Sequence, residues 1–290
     1  MMAKKNKIKQ DKGRIAVYVF YFILFVAFSF LCLYPLFFCF TNSLKSVTEF
    51  YEEGALSKLP ESWSLACYGA FFQTKIGSYG FWEMAFNSFW QAFGSQALNI
   101  LASMMVAYPL ARYNFPAKKF IYGIIIFRIT IPVIGAGAAA YKLMRTLQLV
   151  KNPLYIITYF TGFDMQALIM YGYFKGISKE YSEAAFMDGA TCLQVFCHVV
   201  LPQAFPCVLA LYINAVMGAW NNYTTPQIYW TNYPNLALGI WIADETPSAL
   251  LAGKPAFFGL VMLSALVPLT LFASGQKLML TNMSVGGLKG

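Results

Sequence analysis

Two charged side chains stand inside stretches that are otherwise apolar: Arg128 within 120–141 and Asp164 within 152–174. If those stretches are membrane helices, each charge costs at least about 2.5–3.5 kcal/mol at the bilayer centre, so it must face a protein interior or a wet cavity. The two stretches are consecutive. Arg128 and Asp164 therefore either form an interhelical ion pair or line a passage, offering guanidinium donors and carboxylate acceptors to hydroxyl groups. Upstream, Ser88, Ser95, Asn99 and Ser103 recur at spacings of 7, 4 and 4 and make one polar helix face. Such a stripe serves helix packing or pore lining. Asn214, Gly218, Asn221 and Thr225 share another face, with Trp220 and Tyr223 close by. Those aromatics suit a membrane interface, or stacking on a carbohydrate ring whose hydroxyls the amides would bond.

Other chemistry is excluded by what the chain lacks. His198 is its single histidine, and the six cysteines show no CxxC spacing, which argues against a zinc site. No nucleophile with a base is visible, so an intramembrane hydrolase is not expected. There is no Gly-x-x-x-x-Gly-Lys-Ser/Thr loop, so the chain cannot hold ATP in the usual way. No directly bound cofactor or metal is expected.

The elements that must position these residues are set by composition. Apolar residues make up 59% and charged residues 11%, against about 25% charged in soluble domains. A hydrocarbon core of ~30 Å needs about 20 apolar helical residues. Six runs qualify, at about 17–40, 84–111, 120–141, 152–174, 199–219 and 255–276. The first is too long for a signal-peptide core and lacks a cleavage site. The expected organisation is a basic tail over 1–16, a transmembrane domain over 17–281 and a short tail over 282–290. The net charge of +9 flanks apolar runs rather than forming a nucleic-acid patch. With both termini in the cytoplasm, 13 basic residues fall inside (Lys4, Lys5, Lys7, Lys9, Lys12, Arg14, Arg112, Lys118, Lys119, Lys175, Lys179, Lys277, Lys289) and 7 outside (Lys45, Lys58, Lys75, Lys142, Arg145, Lys151, Lys254). That bias sets the expected topology of a multi-pass cell-membrane protein.

The cytoplasmic segment 176–198 reads as a helix–turn–helix. Ser178 can cap a first helix over 178–187, with Glu180 in its opening turn. Ala184 and Ala185 let a partner approach closely, and Gly189 supplies the turn. A second piece over 191–199 leads to Pro202 in the first turn of the fifth membrane helix. On physics alone, an ordinary connector explains this segment equally well.

The segment resembles the EAA loop of ABC importer permeases: Glu183, Ala184, Ala185, Gly189, Val199, Leu201 and Pro202 stand at that loop's spacings, and Asp188 beside Gly189 gives the Asp-Gly form of the sugar permeases. The segments 107–119, 220–229 and 280–290 are similar to those of the shorter, six-helix partner of maltose-type carbohydrate permeases. Ala117 stands where Gly is usual, and Met279 likewise. The resemblance implies an all-α integral membrane fold of the type I ABC importer class, with six transmembrane helices and a cytoplasmic coupling helix-turn-helix over 176–198. It assigns ATPase coupling to Glu183, Ala184, Ala185, Asp188, Gly189, Leu201 and Pro202. It implies a non-catalytic subunit translocating a sugar or oligosaccharide. Its partners would be a second permease, two ATP-binding subunits that use ATP and Mg, and an extracellular sugar-binding protein. An amino-acid or phosphate importer is the nearer rival. An ion-coupled secondary transporter would need paired acids or repeated halves, which are not visible. Asn99, Arg128, Asp164, Asn214, Trp220 and Asn221 are the candidate substrate-path residues.

Overall fold

A computed structural model describes residues 12–52, 58–73, 75–76, 78–131, 135–246 and 253–285. The chain forms two compact units, Met1–Phe71 with Leu251–Met262, and Phe72–Leu250 with Leu263–Gly290.

In the first unit, α1 (Lys12–Ser43) is apolar around its whole circumference, and Phe22, Phe30 and Leu31 are each more than 60% exposed. A helix apolar on every side needs lipid or a protein neighbour. The basic tail expected over 1–16 is helical from Lys12; residues 1–11 lie outside the described residues. Two short helices follow, α2 (Val47–Phe50) and α3 (Ala66–Gln73), the latter ending just beyond this unit. Here Lys45 is fully buried, and its ammonium donates to Asn42 Oδ1 at 2.8 Å. Burial pushes its pKa below the usual lysine range, with Glu49 pulling it back up.

The second unit opens with a minimal hairpin, β1 (Lys75–Ile76) antiparallel to β2 (Tyr79–Gly80), the one departure from an all-helical fold among the described residues. The second apolar run is helical from Phe81 to Arg112, through α4 (Phe81–Phe89), a π-helical turn (Trp90–Gly94) and α5 (Ser95–Arg112).

The third and fourth runs are not the continuous helices expected. α6 (Lys118–Thr130) stops where Ile131 turns extended ahead of Pro132, because proline disfavours helical backbone in the residue before it. Gly135 follows with φ +85°, and α7 (Gly137–Thr146) is a separate helix with no buried residue. The run 152–174 splits into a 3-10 helix (Pro153–Tyr159) and α8 (Met165–Gly176), with irregular backbone over 160–164. Gly162 makes that break feasible. Its φ is +64°, and a Cβ there would meet Ala102 O at 2.6 Å. Only glycine combines that backbone with that approach.

The fifth helix starts earlier than the expected 199. α9 (Glu180–Met187) and a turn precede α10 (Cys192–Val195), a π-helical turn (Phe196–Val200) and α11 (Leu201–Trp220), which run on without interruption. Pro202 has no N–H for His198 O and its ring crowds that carbonyl, so a wider turn there relieves the clash. α12 (Thr224–Tyr229) and α13 (Leu236–Glu245) occupy the long segment after it. α14 (Gly253–Val285) passes through the boundary expected at 281. Among the described residues, Arg14–Ser43, Cys192–Trp220 and Gly253–Lys277 are each long and apolar enough to cross a membrane.

The core of this unit gathers Ile100, Ala107 and Tyr108 of α5, Met170 and Phe174 of α8, Val195 of α10, and Val200, Ala204 and Val208 around the start of α11.

Candidate functional site

Two places carry the candidate residues: a cavity at the broken helix and the segment between α8 and α11.

At the break, Asp164 caps α8 and accepts from Ala167 N at 3.0 Å. It also accepts from Ser103 Oγ at 3.1 Å and Asn99 Nδ2 at 2.7 Å. Three donors thus surround one carboxylate, each worth more than a neutral hydrogen bond. Arg128 does not pair with it. Its guanidinium donates through Nη1 to Phe163 O at 2.8 Å, with a longer contact to Thr161 Oγ1 at 3.4 Å. It thereby satisfies a carbonyl that the broken helix leaves free, while the side chain stays exposed. Of the two roles left open by the sequence, a direct Arg128–Asp164 ion pair is replaced by two separate tethers on the same break. These groups line a cavity of about 360 Å³ with Met144, Tyr155, Thr158 and Tyr159. Irregular backbone at membrane depth is tolerated where it lines such a space.

The structure brings Asn99, Arg128 and Asp164 together. It does not bring Asn214, Trp220 or Asn221 to this cavity. Trp220 is 2% exposed and donates through Nε1 to Ser264 O at 3.1 Å, so its ring is packing, not a stacking platform. Asn214 and Asn221 are exposed, and Asn221 Nδ2 donates to Met217 O. Of the serine stripe, Ser103 binds Asp164, and Ser88 Oγ accepts from Leu236 N at 2.7 Å and donates to Met84 O. Ser88 and Ser103 thus join helices, while Asn99 of the same stripe lines the cavity. Sequence reasoning missed Tyr155, Tyr159 and Gly162. Thr161-Gly162 followed by Asp164 was the available signal: a turn dipeptide and then a helix cap.

In the second place, α9 ends in a Schellman motif. Gly189 N donates to Phe186 O and Ala190 N to Ala185 O, both at 3.0 Å, with Gly189 at φ +83°. Thr191 then caps α10 in a capping box with Gln194. The inner side is anchored: Val195 and Val200 are fully buried, and Ala185 and Ala190 pack on the core. The outer side is apolar and open, with Tyr181 59%, Met187 88% and Leu193 71% exposed. Glu183, Ala184, Asp188 and Gly189 are exposed on the same segment, while Leu201 and Pro202 begin α11.

Residues 99–280 match the family described as binding-protein-dependent transport system inner membrane component. The chain belongs to that family. It is therefore a membrane protein and a transport component. It is 28% identical over 274 residues to the arabinooligosaccharides transport system permease protein AraQ of Halalkalibacterium halodurans, covering 92% of this chain and 94% of that protein. It is 30% identical over 212 residues to the sulfoquinovosyl glycerol transport system permease protein SmoH of Agrobacterium fabrum, covering 71% and 72%. Its fold is similar to a chain of a bacterial ABC transporter involved in the import of the acidic polysaccharide alginate, with a TM-score of 0.76 and 22% identity over 92% of this chain and 98% of that one.

Proposed function

We propose that this chain is the permease subunit of an ATP-driven importer for a saccharide, with the segment 176–198 as the coupling element that docks on ATP-binding subunits. The observation that carries this is the build of that segment: a short helix held rigidly from behind and bare in front. Val195, Val200 and the Gly189 Schellman turn fix its position, while Tyr181, Met187 and Leu193 offer apolar surface that water does not favour. An element that must transmit force needs that combination. The relatives' names support a sugar-containing solute, since they include arabinooligosaccharides, sulfoquinovosyl glycerol and diacetylchitobiose.

On this reading the chain does no chemistry and binds no cofactor. ATP and Mg belong to two partner ATPase subunits, and a second permease and an extracellular sugar-binding protein complete the complex. Six spans are proposed: α1, the run 81–112, α6, the broken segment 153–176, the run 192–220, and α14. Both termini face the cytoplasm. Asn99, Arg128 and Asp164 border the solute's path with Tyr155 and Tyr159, and the exposed Asn214 and Asn221 are proposed as a further part of it. Purification of the complex with tagged ATPase subunits, followed by ATPase and uptake assays in proteoliposomes, tests the reading. Transport by the purified chain without ATPase subunits would exclude it.

A further inference from the structure

We propose that the path beside α7 is built for a saccharide carrying an acidic group (a carboxylate, sulfonate or phosphate), received by Arg145 and Lys151 and passed to Arg128. The proposal rests on the translocation reading above and narrows its substrate class.

A second cavity, of about 490 Å³, is lined by Tyr141, Arg145, Gln148, Val150 and Lys151. Two cations face it and no acid does. The inner cavity adds Arg128, and its one acid, Asp164, already accepts three hydrogen bonds that hold the helix break. A site for a neutral sugar needs acceptors as well as donors, because each hydroxyl does both. Hydroxyls and amides in both cavities can do either, but Arg145, Lys151 and Arg128 only donate, and all three cations lack a carboxylate partner among the described residues. Arg128 spends only Nη1 within the protein, leaving the rest of its planar fork to a carboxylate-like group.

The two cavities share walls. α7 gives Tyr141 and Arg145 to the outer one and Met144 to the inner one. Tyr229 lies between, stacked on Tyr155 of the inner cavity at 4.9 Å and against Tyr141 of the outer cavity at 6.0 Å. Tyr229 thus props the rings that line the two cavities, Tyr141 in the outer one and Tyr155 in the inner one.

The backbone here is strained to hold that arrangement. Gln148 (φ +56°) and Lys151 (φ +61°) take left-handed conformations that non-glycine residues seldom adopt. α7 closes in a Schellman motif, Gln148 N to Arg145 O at 3.1 Å and Leu149 N to Met144 O at 2.9 Å, with glutamine where glycine is usual. Lys151 N is tied to Tyr229 O at 2.7 Å. Strain kept in place by such ties gathers where a site needs it. On the proposed topology Lys142, Arg145 and Lys151 also lie outside, where the charge bias that orients membrane proteins does not call for them.

An acidic lipid headgroup has the same chemistry, and the test separates the two. In the complete transporter, with exposed native cysteines replaced, Val150→Cys probes the outer cavity and Met144→Cys the inner one. Relative to their rates with a free thiol in solution, an anionic methanethiosulfonate should react about tenfold faster than a cationic one at both positions. Arg145→Gln with Lys151→Gln should bring the ratio at 150 to about one, and Arg128→Gln should do so at 144. Trigalacturonate should protect both cysteines, and its neutral methyl ester should not. A ratio near one in the unsubstituted transporter, or equal protection by the ester, overturns the proposal. So does protection at 150 that follows phosphatidylglycerol in the nanodisc and is absent in phosphatidylcholine, which would assign the cations to lipid. ATPase stimulation by loaded binding protein, measured on the same samples, reports separately whether the permease reading holds.

Discussion

Gly162 meets the carbonyl of Ala102 so closely that a Cβ on Gly162 would stand 2.6 Å from that oxygen. This contact seats the irregular stretch 160–164 against α5, beside the Asp164 and Arg128 tethers. Gly162→Ala should therefore be among the most damaging methyl additions in the chain. The left-handed backbone alone costs about 1 kcal/mol, and overpacking against backbone adds about 1–3 kcal/mol. Thermal unfolding of the detergent-solubilised complex should show the loss. Gly172→Ala and Gly218→Ala, where a Cβ meets nothing within 4 Å, should be close to neutral.

Asp164 separates geometry from charge. Asp164→Asn keeps an oxygen for Ala167 N and should fold with modest loss. Asp164→Ala removes the cap and leaves Asn99 and Ser103 without their acceptor. A cap costs about 1 kcal/mol and each stranded polar group about 1–3 kcal/mol, so the alanine variant should assemble poorly. Comparable yield and melting temperature for the two variants would show that this carboxylate anchors nothing.

Trp220 and Tyr155 make opposite predictions. Trp220→Phe removes the Nε1 bond to Ser264 and should lower stability by about 1 kcal/mol while leaving the KM of uptake unchanged. Tyr155→Leu should act on uptake, because its ring walls the inner cavity. A raised KM in Trp220→Phe at unchanged stability would return the indole to the solute's path.

Much of this was legible in the sequence, and the failures share a cause. The segment 176–198 was readable because its signals are local: small alanines, a glycine at the turn and Pro202 at the start of a helix. The cap expected of Ser178 fell to Lys179, which lacks a side-chain acceptor. Ser178 Oγ only accepts from Glu180 N at 3.3 Å, so the helix begins at Glu180 and not at 178. Arg128 and Asp164 stood out because a charge among apolar residues has few explanations. Hydropathy averaging hid the breaks after Thr130 and at Gly162, since isoleucine, tyrosine and phenylalanine are as apolar in an irregular stretch as in a helix. Trp220 precedes Asn221 in the chain, yet the fold buries the indole and leaves the asparagine exposed, a difference that spacing does not carry. Tyr155 and Tyr159 passed unnoticed because aromatics are ordinary at a membrane interface, and only the broken helix turns them to a cavity.

The segment 176–198 carries the central claim, and Gly189 tests it most directly. A Cβ on Gly189 meets nothing within 4 Å, so the cost of a substitution there is backbone conformation and not collision. At φ +83° a β-branched residue is strongly disfavoured and asparagine is tolerated. Glu183 is exposed, so Glu183→Gln should change little beyond the 0–1 kcal/mol of a surface charge. The decisive measurement is recovery of ATPase subunits with affinity-tagged permease, alongside ATPase activity stimulated by loaded binding protein. Gly189→Val, and Met187→Glu on the open apolar face, should lose most of the ATPase subunits and the stimulated activity while the permease still inserts; Gly189→Asn and Glu183→Gln should retain them. Full recovery and full stimulation in Gly189→Val and Met187→Glu would contradict the account and leave this segment an ordinary connector.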